Sequence, residues 1–301
     1  MPSKRIGVIG AGTMGKGIAQ TIASTGMEVY IMELTEKLAD EAVKGIEQNI
    51  DAEILKWGLT VGDKRAIMAR ISTATNFAII NKKRIEVVIE CVPEDLEIKR
   101  NVFKQIDEML DHDVLLITNT ATLSISEIAA DLSHKEMLIG MHFLNPVQKT
   151  PLVEIVRGLA TSADTYQQAK KLAEDMSKTP VEVFEYPGYI TSRVIVPMLN
   201  EALYVLMEGV ASADDIDTAM RLGFNFAVGP LTLVDQIGLD ELLLWMKSLH
   251  DELGDLKYRP CPLLRKLVRA GFLGKKVGKG IFEYDEHGNR IASSSPLAYN
   301  R

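Results

Sequence analysis

Ile6-Gly7-Val8-Ile9-Gly10-Ala11-Gly12-Thr13-Met14-Gly15 reads as an apolar strand that runs into a glycine turn and then into a helix. Each glycine has a physical task there. Gly10 permits the tight turn, Gly12 lets the backbone approach a pyrophosphate, and Gly15 allows the helix to pack closely on the strand, with Thr13 and Met14 opening that helix. The free N–H groups of a helix amino end, aided by its dipole, attract the phosphate oxygens. A glycine fingerprint alone is weak, but its context is met. Lys16 to Ser24 suits a helix, and a second strand, Glu28 to Met32, ends at Glu33, an acidic residue roughly 20 residues beyond the turn. A carboxylate at that place accepts both hydroxyls of an adenosine ribose and repels a 2′-phosphate, so the expected cofactor is NAD rather than NADP.

The composition fits a two-domain globular chain. There are 301 residues, 47% hydrophobic and 25% charged, with a formal net charge of -7; this length buries a proper core, and the acidic balance leaves no basic stripe for nucleic acid. No apolar run reaches membrane-spanning length. The two cysteines, Cys91 in an apolar strand and Cys261 between prolines, suggest neither a disulfide framework nor a metal site. A soluble, cytoplasmic protein with no nucleic-acid or membrane partner is expected.

Beyond Glu33, apolar positions at helical spacing predict a helix from Glu36 to about Trp57. A turn at Gly58 and Gly62 leads to a second helix, which together make a helical hairpin inserted into the nucleotide fold. Lys56, Lys64 and Arg65 lie on it, either as a solvated face or as binders of a phosphorylated carrier. Further strands are expected at Ile85–Glu90, Val114–Thr118, Leu138–Met141, Leu152–Val156 and Val181–Phe184, interleaved with helices at Leu96–Leu110 and Thr165–Met176. That alternation is the mark of an α/β, Rossmann-type doubly wound sheet. After Tyr186-Pro187-Gly188 the strand signal stops and five helical stretches follow, with a kink expected at Pro197 and a serine-rich tail at Ser293–Ser295. The reading is an α/β domain over residues 1–186 and an all-α domain over 187–301.

Two segments carry candidate chemistry. His142 ends a predicted strand in Gly140-Met141-His142-Phe143-Leu144-Asn145-Pro146, and Glu154 interrupts the apolar run Leu152-Val153-Glu154-Ile155-Val156. A buried carboxylate is costly without a partner, and an imidazole is a suitable one. In hydride-transfer chemistry a side chain must take the hydroxyl proton as hydride leaves the same carbon. A histidine oriented by a carboxylate does this near neutral pH. The plainer alternatives are a satisfied core histidine and a solvent-facing strand carboxylate. Asn119, Thr120, Ala121, Thr122, Leu123 and Ser124 follow another strand at the carboxyl edge of the sheet, where ligands bind in such folds. Capping is the plainer role for Ser124 and Ser126, as a helix amino end is for Glu94 and Asp95. Gly274-Lys275-Lys276-Val277-Gly278-Lys279-Gly280 lacks the spacing of a triphosphate-binding loop, which excludes nucleotide triphosphate hydrolysis.

The order of motifs, IGVIGAGTMGKGIAQ, ECVPEDLEIK, TNTATLSISEIA, GMHFLNPV, LVEIV, PGYITSRV, NEALYVLMEGVA, GPLTLVDQIGLD, YRPCPLL and LGKKVGKGIFEY, resembles the 3-hydroxyacyl-CoA dehydrogenase family over nearly the whole chain, most closely its bacterial 3-hydroxybutyryl-CoA branch. The resemblance implies a helical dimerising domain, and reversible oxidation of an (S)-3-hydroxyacyl-CoA with NAD. It implies His142 as catalytic histidine, Glu154 as its partner carboxylate, Asn145 and Ser192 beside them, and cofactor contacts from Glu33, Glu94, Lys99, Asn145 and Lys276; Asn119 is expected at the cofactor from its place at the sheet edge. Ala121 falls on a family position that meets the substrate oxygen, Thr122 beside it offers a hydroxyl in compensation, and Lys56 is a substrate residue only in the reading that the hairpin cations bind a phosphorylated carrier. The family commonly carries serine where this chain has Ala121 and asparagine where it has Ser192. Two other readings stay open: a dehydrogenase of a free hydroxy acid, similar to the L-gulonate dehydrogenase and lambda-crystallin group, and a non-catalytic NAD-binding protein.

Overall fold

The computed structural model describes residues 4–56 and 58–291; Trp57, where the sequence ends its long helix, and the Ser293–Ser295 tail lie outside them. The chain divides into two compact units between Tyr189 and Ile190.

The first unit is an eight-stranded sheet with β1 (Arg5–Ile9), β2 (Glu28–Met32), β3 (Ile71–Ala74), β4 (Val87–Glu90), β5 (Leu115–Thr118), β6 (Leu138–Phe143), β7 (Leu152–Arg157) and β8 (Thr179–Phe184). Their spatial order is β3-β2-β1-β4-β5-β6-β7-β8. The order reverses between β1 and β4, and ligands of such sheets bind outside the carboxyl ends of the strands at that point. Ile6, Val8, Ile31, Ile89 and Ile117 are completely buried, each side chain contributing about 1.5–3 kcal/mol of apolar burial. Their near-continuous apolar runs are what a sheet covered on both faces requires. Helices α1 (Thr13–Ser24), α2 (Glu36–Leu55), α3 (Val61–Met68), α4 (Ile79–Lys83), α5 (Leu96–Asp107), α6 (Ile125–Ile128) and α7 (Ala163–Asp175) connect the strands.

The inserted hairpin is α2 and α3. The Thr35 side chain caps α2, and Thr60 and Asp63 form a reciprocal capping box on α3. Several bounds differ from the sequence reading by one to three residues, and three differences concern the sheet. β4 begins at Val87 rather than Ile85. β3 was not anticipated, because Ile-Ser-Thr-Ala is only four residues long and half exposed at the sheet edge. β8 starts earlier, at Thr179, and contains Pro180, which an edge strand tolerates because one side of its backbone has no ladder to complete. β7 runs antiparallel to β6, since the eight residues between Phe143 and Leu152 are too few for a crossover.

The second unit contains α8 (Thr191–Met207), α9 (Ala213–Phe224), α10 (Pro230–Ile237), α11 (Leu239–Leu253) and α12 (Pro262–Arg269). α8 continues through Pro197. Leu199, Leu203, Leu242, Met246, Tyr258 and Leu264 form its core. Ser212 caps α9 by accepting from Asp215 N at 3.1 Å. Asp235 is the buried pin of this unit: its carboxylate accepts from Ile281 N and Phe282 N at 2.8 Å each and from the Tyr284 hydroxyl at 3.0 Å. A Cβ on Gly274 would lie 2.4 Å from the Asp235 carbonyl oxygen, and one on Gly280 would lie 2.1 Å from its carboxylate. Those two glycines of the lysine-rich loop therefore serve close packing on Asp235, Gly274 against its backbone and Gly280 against its carboxylate. No helix among the described residues is long and apolar enough to cross a membrane.

Candidate active site

The β6–β7 register makes His142 and Glu154 direct cross-strand partners. Side chains directly opposite one another on one face of an antiparallel pair meet. His142 Nδ1 lies 2.6 Å from Glu154 Oε2, with the two residues 5% and 1% exposed. A carboxylate is an acceptor only, so Nδ1 carries the proton and Nε2 keeps its lone pair. An imidazole in that state can accept one proton and stabilise the resulting cation against the buried carboxylate.

Beside the pair, Asn119 Oδ1 accepts from Phe143 N at 3.2 Å, which ties the end of β5 to the end of β6. The residues after β5 close around Glu94. Its Oε1 accepts from the Thr120 hydroxyl at 2.5 Å, Ala121 N at 2.8 Å, Thr122 N at 3.0 Å and the Thr122 hydroxyl at 3.3 Å. The Ala121 backbone is thus held although its side chain offers no hydroxyl. Lys99 is completely buried, with its ammonium 2.8 Å from Glu90 Oε1 and 3.5 Å from Glu94 Oε2. Glu90 also accepts from Val92 N at 2.6 Å and from the Thr118 hydroxyl at 2.7 Å. Burial pushes the Glu90 carboxyl up, and the Lys99 charge opposes that rise. Asp95 is the amino-terminal cap of α5 and Ser124 that of α6, as the capping alternative has it, whereas Ser126 lies inside α6 and donates its hydroxyl to Glu185.

The glycine turn fits a dinucleotide. No side chain caps the amino end of α1 and its first turn carries no acidic residue, which leaves an electropositive end for an anion. A Cβ on Gly15 would lie 2.0 Å from Gly10 O, whereas one on Gly12 would meet nothing within 4 Å. Gly15 is required for the turn itself, and Gly12 faces open space into which a pyrophosphate can come close. Glu33 Oε1 accepts from Ala11 N at 2.5 Å, so the carboxylate borders the turn as a ribose acceptor should. Among the described residues no cluster of histidine, cysteine or acidic side chains could hold a metal.

The structure therefore brings Gly10, Gly12, Thr13, Met14, Gly15, Glu33, Glu94, Lys99, Asn119, Ala121, Thr122, His142 and Glu154 into one unit, at or beside strand carboxyl ends. Asn145 is exposed after β6, joined to Pro146 by a cis peptide bond. Lys56 is exposed at the end of α2, and Lys64 is paired with Asp51 at 2.8 Å. Ser192 and Lys276 belong to the helical unit. Ser192 is buried in the first turn of α8, and Lys276 lies 2.7 Å from Asp240. Two residues of the site escaped the sequence reading. Glu90 interrupts an apolar strand as Glu154 does, and the same argument applied there would have found it. Tyr189, whose ring centroid lies 5.6 Å from that of His142, left no signal in the sequence, because its contact depends on a backbone turn.

Comparison with known proteins agrees with this geometry. Residues 5–186 match the 3-hydroxyacyl-CoA dehydrogenase NAD-binding domain, and residues 188–284 match the C-terminal domain of the same family. The chain is 44% identical over 286 residues to a probable 3-hydroxybutyryl-CoA dehydrogenase of Bacillus subtilis, covering 95% of this chain and 99% of that protein. It is 41% identical to 3-hydroxybutyryl-CoA dehydrogenase of Clostridioides difficile, covering 94% and 100%. The crystal structure of (S)-3-hydroxybutyryl-CoA dehydrogenase from Ralstonia eutropha superposes with a TM-score of 0.86 at 40% identity, over 94% of this chain and all of that one. With both domains matched in order and a dinucleotide turn fitted to its cofactor, the chain belongs to the 3-hydroxyacyl-CoA dehydrogenase family and is an NAD-dependent enzyme of that kind.

Proposed function

We propose that the enzyme interconverts (S)-3-hydroxybutyryl-CoA and acetoacetyl-CoA, with His142 as acid and base and Glu154 as its orienting carboxylate. The observation that carries this reading is the buried 2.6 Å contact between His142 and Glu154. Nε2 of His142 takes the proton of the 3-hydroxyl group in oxidation and returns it to the developing alkoxide in reduction. NAD, when bound, supplies the hydride acceptor, and NADH the donor in the reverse direction. Glu154 keeps the proton on Nδ1 and stabilises the imidazolium. The loop gathered by Glu94 carries Ala121 and Thr122, and the Thr122 hydroxyl stands in for the polar group that the family commonly carries at position 121. The preference for a short acyl chain on CoA is supported by the relatives from Clostridioides difficile and Ralstonia eutropha.

The test is NADH oxidation with acetoacetyl-CoA, longer 3-oxoacyl-CoAs and free acetoacetate, for the native enzyme and His142→Ala. Expected are turnover on the short thioester in preference to the others, and a variant that binds NADH but loses nearly all turnover. An active His142→Ala variant overturns the acid–base assignment, and turnover on free acetoacetate alone overturns the substrate. The same reading makes the enzyme a homodimer through its helical unit, supported by the exposed apolar side chains Val194, Leu222, Phe224 and Leu244; a monomer in sedimentation at micromolar concentration would refute it.

A further inference from the structure

One aromatic side chain near the site has no part in the mechanism above. Tyr189 is 5% exposed. Its ring centroid lies 5.6 Å from that of His142 with the planes 56° apart, a tilted arrangement within the range that aromatic pairs favour. Its hydroxyl donates to Leu123 O at 2.9 Å, at the end of the loop that Glu94 gathers. Its backbone is left-handed, with φ of 49°, directly after Gly188 at φ of 79°. A bulky residue keeps that conformation only when its surroundings hold it there, and such outliers concentrate at functional sites.

The hydrogen bond at Nδ1 holds one edge of the His142 ring, and contacts on the ring face add to the hold on its plane. Proton transfer at Nε2 requires the direction of its lone pair to be held to within about 10–20°. We propose that Tyr189 is a positioning residue: its ring, together with Glu154, sets the plane of the His142 imidazole. The proposal rests on the reading of His142 as acid and base. The Leu123 hydrogen bond and the left-handed backbone in turn pin the tyrosine ring, so its orientation is anchored at both ends. Burial holds the phenol well above its ordinary value, with the carboxylates of Glu94, Glu185 and Glu154 adding to the rise and Thr120 opposing it. The hydroxyl therefore stays a donor to Leu123 throughout the working pH range. The ring is the part that touches His142, so phenylalanine should perform the same task and an aliphatic side chain should not.

The experiment compares Tyr189→Leu and Tyr189→Phe with the native enzyme, with His142→Ala as control. It measures kcat and KM for acetoacetyl-CoA, and the NADH dissociation constant by fluorescence titration. Tyr189→Leu should lower kcat by about tenfold or more while the NADH dissociation constant stays within about twofold, and Tyr189→Phe should restore kcat to within about threefold. Tyr189→Met carries the same test if the leucine variant does not fold. A leucine or methionine variant with native kcat overturns the proposal. So does a phenylalanine variant as slow as the leucine one, or a kcat loss matched by weaker NADH binding. If His142→Ala itself turns over, it is the acid–base reading that has failed; a dead His142→Ala beside a native-like Tyr189→Leu refutes the positioning role alone.

Discussion

Replacing Glu154 by glutamine keeps the shape of the site and removes one charge. The carboxylate lies 2.6 Å from His142 Nδ1 and the two residues are 1% and 5% exposed, so water cannot take its place. The amide can face the ring in two ways. With its oxygen toward Nδ1 the tautomer survives, but the imidazolium formed on proton uptake loses a charged acceptor. A hydrogen bond to a charged group contributes about 1.5–3 kcal/mol, which is roughly ten- to a hundredfold in rate at about 1.4 kcal/mol per decade. With its nitrogen toward the ring, two donors would meet. The imidazole must then carry its proton on Nε2, where it can no longer accept one, and the loss is on the order of 10⁴, as in the analogous tautomer inversion of a serine-protease triad. Either orientation lowers kcat by about tenfold or more. The assay is NADH oxidation with acetoacetyl-CoA, beside an NADH titration and a urea unfolding curve to establish that the variant is folded. A folded Glu154→Gln enzyme within about threefold of native kcat refutes the account of the pair.

Burial lifts the Asp235 carboxyl from 3.8 to about 6, against the hydrogen bonds from Ile281, Phe282 and Tyr284. Because the folded value is raised, the protonated form favours folding. The associated stability is complete below about pH 4 and is lost as pH rises through about 6, a change of ~3 kcal/mol at about 1.4 kcal/mol per pH unit. Asp235→Asn cannot titrate and leaves one backbone N–H facing an amide donor. Urea midpoints should place it below the native protein at every pH, with the gap widest near pH 4 and narrower by pH 7; a gap independent of pH contradicts the argument. Lys99→Met leaves Glu90 buried without its cation, which should cost about 3–5 kcal/mol, and adding Glu90→Gln should recover much of it. The double variant also separates two roles for Lys99. Native NADH affinity means that it supports the Glu94 loop, and a large loss in a folded double variant means direct contact with the cofactor.

Most of the α/β unit was legible because its signals are local. The glycine turn, the apolar strands and the cap at Ser124 each depend on residues within one turn or strand of each other, and a physical rule reads them directly. Glu154 was legible because a carboxylate in an apolar strand demands a partner. β3 escaped because a short, half-exposed edge strand carries little apolar signal, and its pairing with β2 depends on a neighbour about forty residues earlier in the sequence.

By itself, then, the amino-acid order determined the dinucleotide turn, the alternation of strand and helix, the acidic residue that favours NAD, and the two residue types able to move a proton. Only the tertiary structure decided that β6 and β7 run antiparallel in the register that sets His142 opposite Glu154. It alone brought Lys99 between Glu90 and Glu94 and turned Tyr189 back onto the imidazole. The reason is range: propensity and periodicity act over a few residues, whereas strand register and buried charge partners are settled when distant segments pack and every buried polar group must find its match.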